Sequence, residues 1–450
     1  VGAGMTGLGA EAKARYDVAM AALKNGDFAR AEAELAHIVR LEPGWAVAHT
    51  DLGVLLRRRG LPAAAVACYR RALALDPDRA ATLSNLGNAL RELGRLEDAE
   101  AALTRAVALD PASVGFRYNL ALLLRDRRRH EPALAMMEAV QESQPDNAEL
   151  AWDIALTRLY LDDFRRGFAG YEARERLPRM PRRVFPGERW RGDAVAGRTV
   201  LLISEQGFGD ALQFARFVPL LAGRGARVVL ECLPELGEIF ATLPGVAAVI
   251  AKGAPPPPYD LWAPMASLPH LLGIGLDDLP GPCPYLSAPS RPALRLSRPP
   301  GTRLTAGLVW AGKTNPRDRS WPLETLLPLL SDPGLGWVSL QHGPRGADLV
   351  SLGLDRLIVD AAPGLTSFAE TAALMAQLDL IVTVDTATAH LAGALGRPTY
   401  VLLRYVSDWR WGDVRDDSPW YPTLRLFRQS HPDDFAGPVA RIAQALSGLG

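Results

Sequence analysis

The sequence predicts an α-helical repeat superhelix followed by two α/β domains. Three observations carry this prediction. Prolines recur 34 residues apart at positions 43, 77, 111 and 145. From residue 197 onward, short apolar β-branched runs alternate with amphipathic stretches. The chain has 450 residues, 48% of them hydrophobic, which is enough for two or three separate cores.

The repeats come first. "LEPGWAVAHTDLGVLLRRRG", "LDPDRAATLSNLGNALRELG" and "LDPASVGFRYNLALLLRDRR" share one pattern: two apolar helical stripes, split near Gly60 or Gly94. The period, the small residue after Leu52, Leu86 and Leu120, and the closing Pro resemble the tetratricopeptide repeat. Four to five units are expected over 11–175, the last one ("AELAWDIALTRLYLDDFRRGFAGYEARE") degenerate. Helix pairs of this kind cannot bury their faces alone, so they stack and leave a groove. Asp51, Asn85, Asn119 and Asp153 stand in phase on the first helix of each unit. Such side chains either hydrogen-bond an extended protein or peptide partner or serve the packing of the array itself.

"RLPRMPRRVFPGERWRGDAVAG" is rich in Pro and Arg, and 176–196 reads as a linker. Beyond it, "TVLLIS", "ARVVLEC", "VAAVIA", "TAGLVWAG", "GWVSLQ", "LDLIVTVD" and "PTYVLL" are strands of the kind buried on both faces in parallel sheets. "PSRPALRLSRPPGTR" divides them into a domain at 197–290 and another at 303–430, with a closing helix at 431–450. Two tandem Rossmann-like domains with a cleft between them is the simplest architecture.

Several functions are excluded. Fifty Lys and Arg balance fifty Asp and Glu, and no basic block marks a nucleic-acid partner. No apolar run approaches a membrane span, and the leading residues lack the core of a signal peptide. Cys68, Cys232 and Cys283 have neither metal spacing nor an even-numbered framework, as expected of a reducing cytoplasmic setting. The first residue is Val, as expected of a fragment or of a chain with an added leader. The only D-x-D is Asp76-Pro77-Asp78, in a repeat turn, and the seven histidines have no ligand spacing, so no metal site is expected.

Chemistry concentrates in four stretches. In "VDTATAHLAGALG" (384–396) a buried strand runs into a small-residue helix. The helix start can seat a phosphate through free N–H groups, the Thr386 and Thr388 hydroxyls and a protonated His390; alternatively Asp385 caps the helix and His390 packs. In "EQGFGDALQF", Gly207 and Gly209 open a strand-to-helix turn around Asp210, which serves either as a general base or as a helix cap. Gln206 and Gln213 flank it as candidates for orienting acceptor or sugar. "GLVWAGKT" (307–314) satisfies the Walker A pattern, but Gly307 lies inside an apolar run and Pro316 and Pro322 bar the helix that pattern needs. Lys313, one of only four lysines, and Arg319 are instead candidate cations for a leaving phosphate. "SDWRWGDVRDDSPWYPTLRLFRQ" (407–429) either stacks aromatic rings on a base or sugar or is a loop pinned by buried Trp.

"DTATAHLAGALGRP", the G-D pair of "EQGFGDALQFARFVPLL", "LVWAGKTNPRDRSWP" and "VSLQ" occur in the order found in heptosyltransferase-like glycosyltransferases. The resemblance spans 190–430 and implies a GT-B fold. It also implies a nucleotide-sugar donor bound by Gly207, Gly209, Lys313, Arg319, Gln341, Asp385, Thr386, Thr388 and His390, with Asp210 as general base. With repeats in front, the chain resembles bacterial repeat-containing protein glycosyltransferases, some of which modify flagellin. The expectation is metal-independent, inverting transfer without a cofactor to a protein acceptor recruited by the repeats. The alternatives are lipopolysaccharide heptosyl transfer and a non-catalytic repeat scaffold.

Overall fold

A computed structural model describes residues 9–449 except 181, 182, 280, 291, 293, 299 and 315–317, so Pro316 lies outside the described residues. These residues form two compact units that divide after Thr157.

The first unit is built from helical hairpins. Helices α1 (Ala10–Lys24), α2 (Phe28–Leu41), α3 (Ala46–Arg58), α4 (Pro62–Leu75), α5 (Ala80–Glu92), α6 (Leu96–Leu109), α7 (Val114–Asp126) and α8 (His130–Gln141) pair in sequence. The division falls inside α9 (Ala148–Tyr160), and α10 (Phe164–Tyr171) completes that repeat within the second unit. One turn position has positive φ in every hairpin: 77° at Gly26, 74° at Gly60, 73° at Gly94, 59° at Arg128 and 57° at Asp162. The degenerate end of the array therefore keeps the turn geometry without glycine. The small column after Leu52 is set by close packing, since a Cβ on Gly53 would lie 2.5 Å from Tyr69 and one on Gly87 2.4 Å from Leu103. One period later the pair is Ala121 and Met137, both buried.

The second unit contains two parallel sheets. The first comprises β1 (Glu188–Arg189), β2 (Thr199–Ile203), β3 (Arg227–Cys232), β4 (Val246–Ala251) and β5 (Leu261–Pro264), in the order β1-β5-β2-β3-β4. Helices α11 (Phe208–Phe214), α12 (Val218–Gly223), α13 (Pro234–Phe240) and α14 (Leu268–Leu272) connect and follow these strands. The second sheet comprises β6 (Leu304–Val309), β7 (Leu335–Ser339), β8 (Ile358–Asp360), β9 (Leu380–Val384), β10 (Thr399–Leu403) and β11 (Leu424–Arg428), in the order β11-β10-β9-β6-β7-β8. Its helices are α15 (Asp348–Ser351), α16 (Phe368–Met375), α17 (Ala387–Ala394) and α18 (Ala436–Ser447). The fold class read from the sequence is the one observed. The stretch read as a linker does more than link: it supplies β1, and Trp190 is 1% exposed.

Both sheets reverse direction beside their first long strand. β2 leads outward to β3 and β4 before the chain returns to pair β5 on the other side of β2, and β6, β7, β8 and β9 repeat the pattern. Such reversals open a crevice at the carboxyl ends of the strands, where ligands of doubly wound sheets bind. The crevice residues are therefore those that follow β2 and β5 in one sheet and β6 and β9 in the other.

Candidate functional site

Side-chain hydrogen bonds tie down the turn after β2. Arg174, 1% exposed, donates to Glu205 at 2.9 Å and to Ser267 at 2.7 Å. The Tyr171 hydroxyl donates to Gln206 Oε1 at 3.2 Å, so Gln206 is held from α10. Burial pushes the Glu205 carboxyl up, against the pull of Arg174. Helix α11 then starts at Phe208, and the Gly207 N–H donates to Asp210 Oδ2 at 3.3 Å. A third-position carboxylate reaching back to the N-cap N–H is half of a capping box. Asp210 thus caps its helix, yet its side chain remains 32% exposed.

The turn after β9 is built differently. Asp385 is buried and does not cap; Thr386 is the N-cap residue, in extended conformation. Asp385 pairs instead with Arg319 at 3.1 Å. Burial raises the Asp385 carboxyl above its usual range, and Arg319 opposes that shift. Thr386, Ala387 and Thr388 are half-buried at the start of α17, where first-turn N–H groups lack intrahelical partners. His390 does not act as a cation. Its Nδ1 meets the Tyr421 hydroxyl at 2.9 Å, its ring stacks on Trp411 at 5.1 Å, and burial first, then Arg410, Arg216 and Arg319, hold its pKa well below 6.5. Of the two readings of His390, a protonated phosphate contact or a packed ring, the structure has the packed ring, with burial favouring its neutral form.

After β6 the chain runs through residues 310–314 without a helix, so the Walker A reading fails: Gly307 is a strand residue, and neither Lys313 nor Thr314 stands at a helix start. Gln341 shapes this turn. Its Oε1 accepts the N–H groups of Trp310 at 3.0 Å and Ala311 at 2.8 Å, and its Nε2 donates to the Ala311 and His342 carbonyls. Both ends of the amide are occupied and buried, so Gln341 positions the loop and has no group left for a donor. Lys313 is exposed, with no carboxylate partner among the described residues.

The crevices meet. Helix α11 packs on α17. A Cβ on Gly209 would lie 3.0 Å from His390 Cδ2, and one on Gly312 would lie 3.0 Å from Thr386 Cγ2. Lys313 Nζ comes within 3.7 Å of where a Gly207 Cβ would sit. Asp210, Gly207, Gly209, Lys313, Thr386 and His390 thus gather in one place, although they lie far apart in sequence.

Of the two readings of the segment after β10, the loop pinned by buried Trp is the one observed. Trp409, Trp411 and Trp420 are at most 4% exposed, and their rings pack on Phe164 and Phe168 of α10 and on His390, so they cannot stack on a base. The same segment supplies a group not singled out from the sequence. Arg410 donates to Asp210 Oδ1 at 2.7 Å, to Asp408 Oδ1 at 2.8 Å and to Gln213 Oε1. Burial works against its charge, but Asp408 and Asp210 more than offset that and keep its pKa above the ordinary value. Gln213 is fully buried in this network and cannot orient a sugar.

In the repeats, the polar column is engaged in stacking. Asp51 accepts from the Tyr16 hydroxyl at 2.7 Å, Asn119 donates to Ser84 Oγ at 2.9 Å, and Asp153 accepts from Tyr118 and from Arg125. Asn85 has no side-chain partner among the described residues. Also among the described residues, no cluster of three or more His, Cys, Asp and Glu is arranged to hold a metal ion, and no helix is long and apolar enough to cross a membrane.

Residues 340–433, which contain the β9–α17 turn and Arg410, match the model of glycosyltransferase family 9 (heptosyltransferase). Residues 46–112 and 84–148 match tetratricopeptide-repeat models. The chain carries tetratricopeptide repeats followed by a glycosyltransferase family 9 domain. Protein FlbA of Caulobacter vibrioides is 28% identical over 336 residues, 68% of this chain and 56% of FlbA. The chain thus spans little more than half the length of that relative. Among solved structures, MamA of Desulfovibrio magneticus is 20% identical over 37% of this chain and 95% of its own, with a TM-score of 0.34. Pseudomonas aeruginosa PilF is 24% identical over 36% of this chain and 74% of its own, with a TM-score of 0.33. The family 9 match covers the β9–α17 turn of the second crevice; the turn after β6 and the first crevice lie outside the matched residues.

Proposed function

We propose that this chain transfers a sugar from a nucleotide-sugar to a hydroxyl of a protein acceptor, flagellin being the first to test. One observation carries this reading. α11 meets α17 at Gly209, so the accessible carboxylate of one crevice stands beside the helix start of the other. In this mechanism the donor diphosphate sits on the N–H groups at the start of α17, with the Thr386 and Thr388 hydroxyls and Lys313 around it. Asp210 takes the proton of the acceptor hydroxyl as that oxygen attacks the anomeric carbon. The bond from that carbon to the phosphate oxygen breaks, and its electron pair leaves with the nucleotide. A single displacement inverts the anomeric configuration. Lys313 and the helix start offset the leaving charge, so the reaction requires no metal. Supply of a nucleotide-sugar fits a cytoplasmic setting.

Because three of the four column residues stack the array, acceptor recognition by the repeats falls to other groove side chains, Asn85 among them. Asn85→Ala should weaken protein glycosylation with little change in Tm. Asn119→Ala should cost the array about 1 kcal/mol through the lost Ser84 bond. Equal Tm losses in the two variants would remove Asn85 from the acceptor site.

The first test is a thermal-shift panel of UDP-, GDP-, ADP-, CMP- and dTDP-linked sugars, including nucleotide-linked heptoses. A ligand of the folded state raises Tm by mass action. No response to any of them would overturn the donor assignment. The match over 340–433 favours a second reading of the donor, a heptose, and a response confined to the heptoses would select it.

A further inference from the structure

We propose that Arg410 is a positioning residue that fixes the Asp210 carboxylate for proton transfer. The inference rests on the reading of Asp210 as general base. Asp210 and Gln213 lie one turn apart on α11 and grip the same guanidinium, Asp210 at 2.7 Å. Side chains three residues apart on a helix share a face, so both reach one partner. The guanidinium is itself immobilised. It is 7% exposed, bonded to Asp408 at 2.8 Å and stacked 4.4 Å from the centre of the Trp409 ring. Asp408 is anchored in turn, because its Oδ1 also accepts the Arg410 backbone N–H at 3.1 Å.

The geometry divides the work between the carboxylate oxygens. Oδ1 is committed to Arg410. Oδ2 receives only the long 3.3 Å bond from Gly207 and lies on the side where Lys313 approaches. A planar, permanently charged fork that holds one oxygen restricts rotation of the carboxylate and turns the other oxygen toward the crevice. Lysine cannot replace it, since a point charge cannot hold Asp210, Asp408 and Gln213 in one plane. The pair also joins residues 200 apart in sequence, one from the turn after β2 and one from the turn after β10. The base is therefore oriented by the sheet whose turns form the donor seat.

The test is a double-mutant comparison in the full chain. The readout is hydrolysis, with water as acceptor, of whichever nucleotide-sugar gives the largest Tm rise in the panel above. Arg410→Lys should lower kcat ~10–100-fold and leave the donor KM within about twofold, as expected for misplacement of a catalytic group. Asp210→Asn should lower kcat further, and Arg410→Lys combined with Asp210→Asn should be no slower than Asp210→Asn alone, because Arg410 acts only through that carboxylate. Losses that multiply in the double variant would overturn the positioning role while leaving Asp210 as base. Wild-type rate in Asp210→Asn would overturn both. If Arg410→Lys does not fold, Asp408→Asn tests the same point by freeing the guanidinium: a smaller kcat loss, again absent beside Asp210→Asn, supports the proposal, and a loss that persists there rejects it.

Discussion

The turns after β2 and β9 both lie at the strand reversal of their sheets, β2 as the strand from which the chain leads outward and β9 as the strand that returns beside β6, yet they present opposite chemistry. Each follows a buried strand through a short turn into a helix, α11 with Gly209 in its first turn and α17 with Ala387, Thr388 and Ala389. After β2 the carboxylate lies inside the helix, at Asp210, with its side chain 32% exposed. After β9 the carboxylate lies before the helix, at Asp385; its side chain is 6% exposed and is spent on Arg319. One crevice keeps an accessible anion. The other cancels its anion and leaves helix N–H groups facing the cleft. In the proposed mechanism, a shift of the acidic residue by a few positions along the turn makes one a proton acceptor and the other an anion seat.

Changing the charge at each turn tests the contrast. Asp210→Asn should lower sugar transfer by ~10²–10⁴ while the donor-induced rise in Tm persists. Loss of the Tm rise instead would put Asp210 in the donor seat and erase the contrast. Thr386→Glu places an anion at the start of α17 and should weaken donor binding ~30-fold, about 2 kcal/mol, in a titration followed by Tm. Unchanged affinity would move the diphosphate elsewhere. The smallest effect concerns His390. Burial holds its folded pKa below 6.5, so as pH falls below 6.5 the unfolded chain binds a proton that the folded chain refuses. The stability from neutral His390 is complete above that pH and is lost below it, by up to about 1.4 kcal/mol per pH unit. Tm measured from pH 7.5 down to 5.5 should fall less steeply in His390→Gln than in the parent. Equal slopes would mean that His390 accepts its proton in place.

The fold was legible because its signals are local. A 34-residue period and β-branched runs survive in any window of the sequence. Half of the site was legible for the same reason: Gly207, Gly209 and Asp210, and the run from Asp385 to His390, are continuous stretches with recognisable turn chemistry. Arg410 was not, because its pairing with Asp210 joins residues 200 apart and leaves no mark on either neighbourhood. Gln341 reads the same at a strand end whether its amide faces a ligand or, as observed, the N–H groups of Trp310 and Ala311. The tryptophans of 407–429 were conspicuous by composition, but only the packing of Phe164 and Phe168 shows that those rings face inward. The polar column Asp51, Asn119 and Asp153 was found by its phase, and phase cannot separate a ligand contact from a stacking bond.

Gly209 and Gly312 have a consequence for anyone who would re-engineer the cleft. At both, the nearest group lies 3.0 Å from where a methyl would be, so the approach of α11 to α17, and that of the loop after β6 to the start of α17, each depend on a side chain that is missing. Alanine at 209 would act as a shim, prying α11 from His390 by a few tenths of an ångström without altering a charge. A graded series, Ala then Ser then Val, would widen the aperture in steps while every reacting group kept its identity. On the proposed donor seat, room for bulkier sugars is then a question of carpentry, to be tested first at 209 and 312.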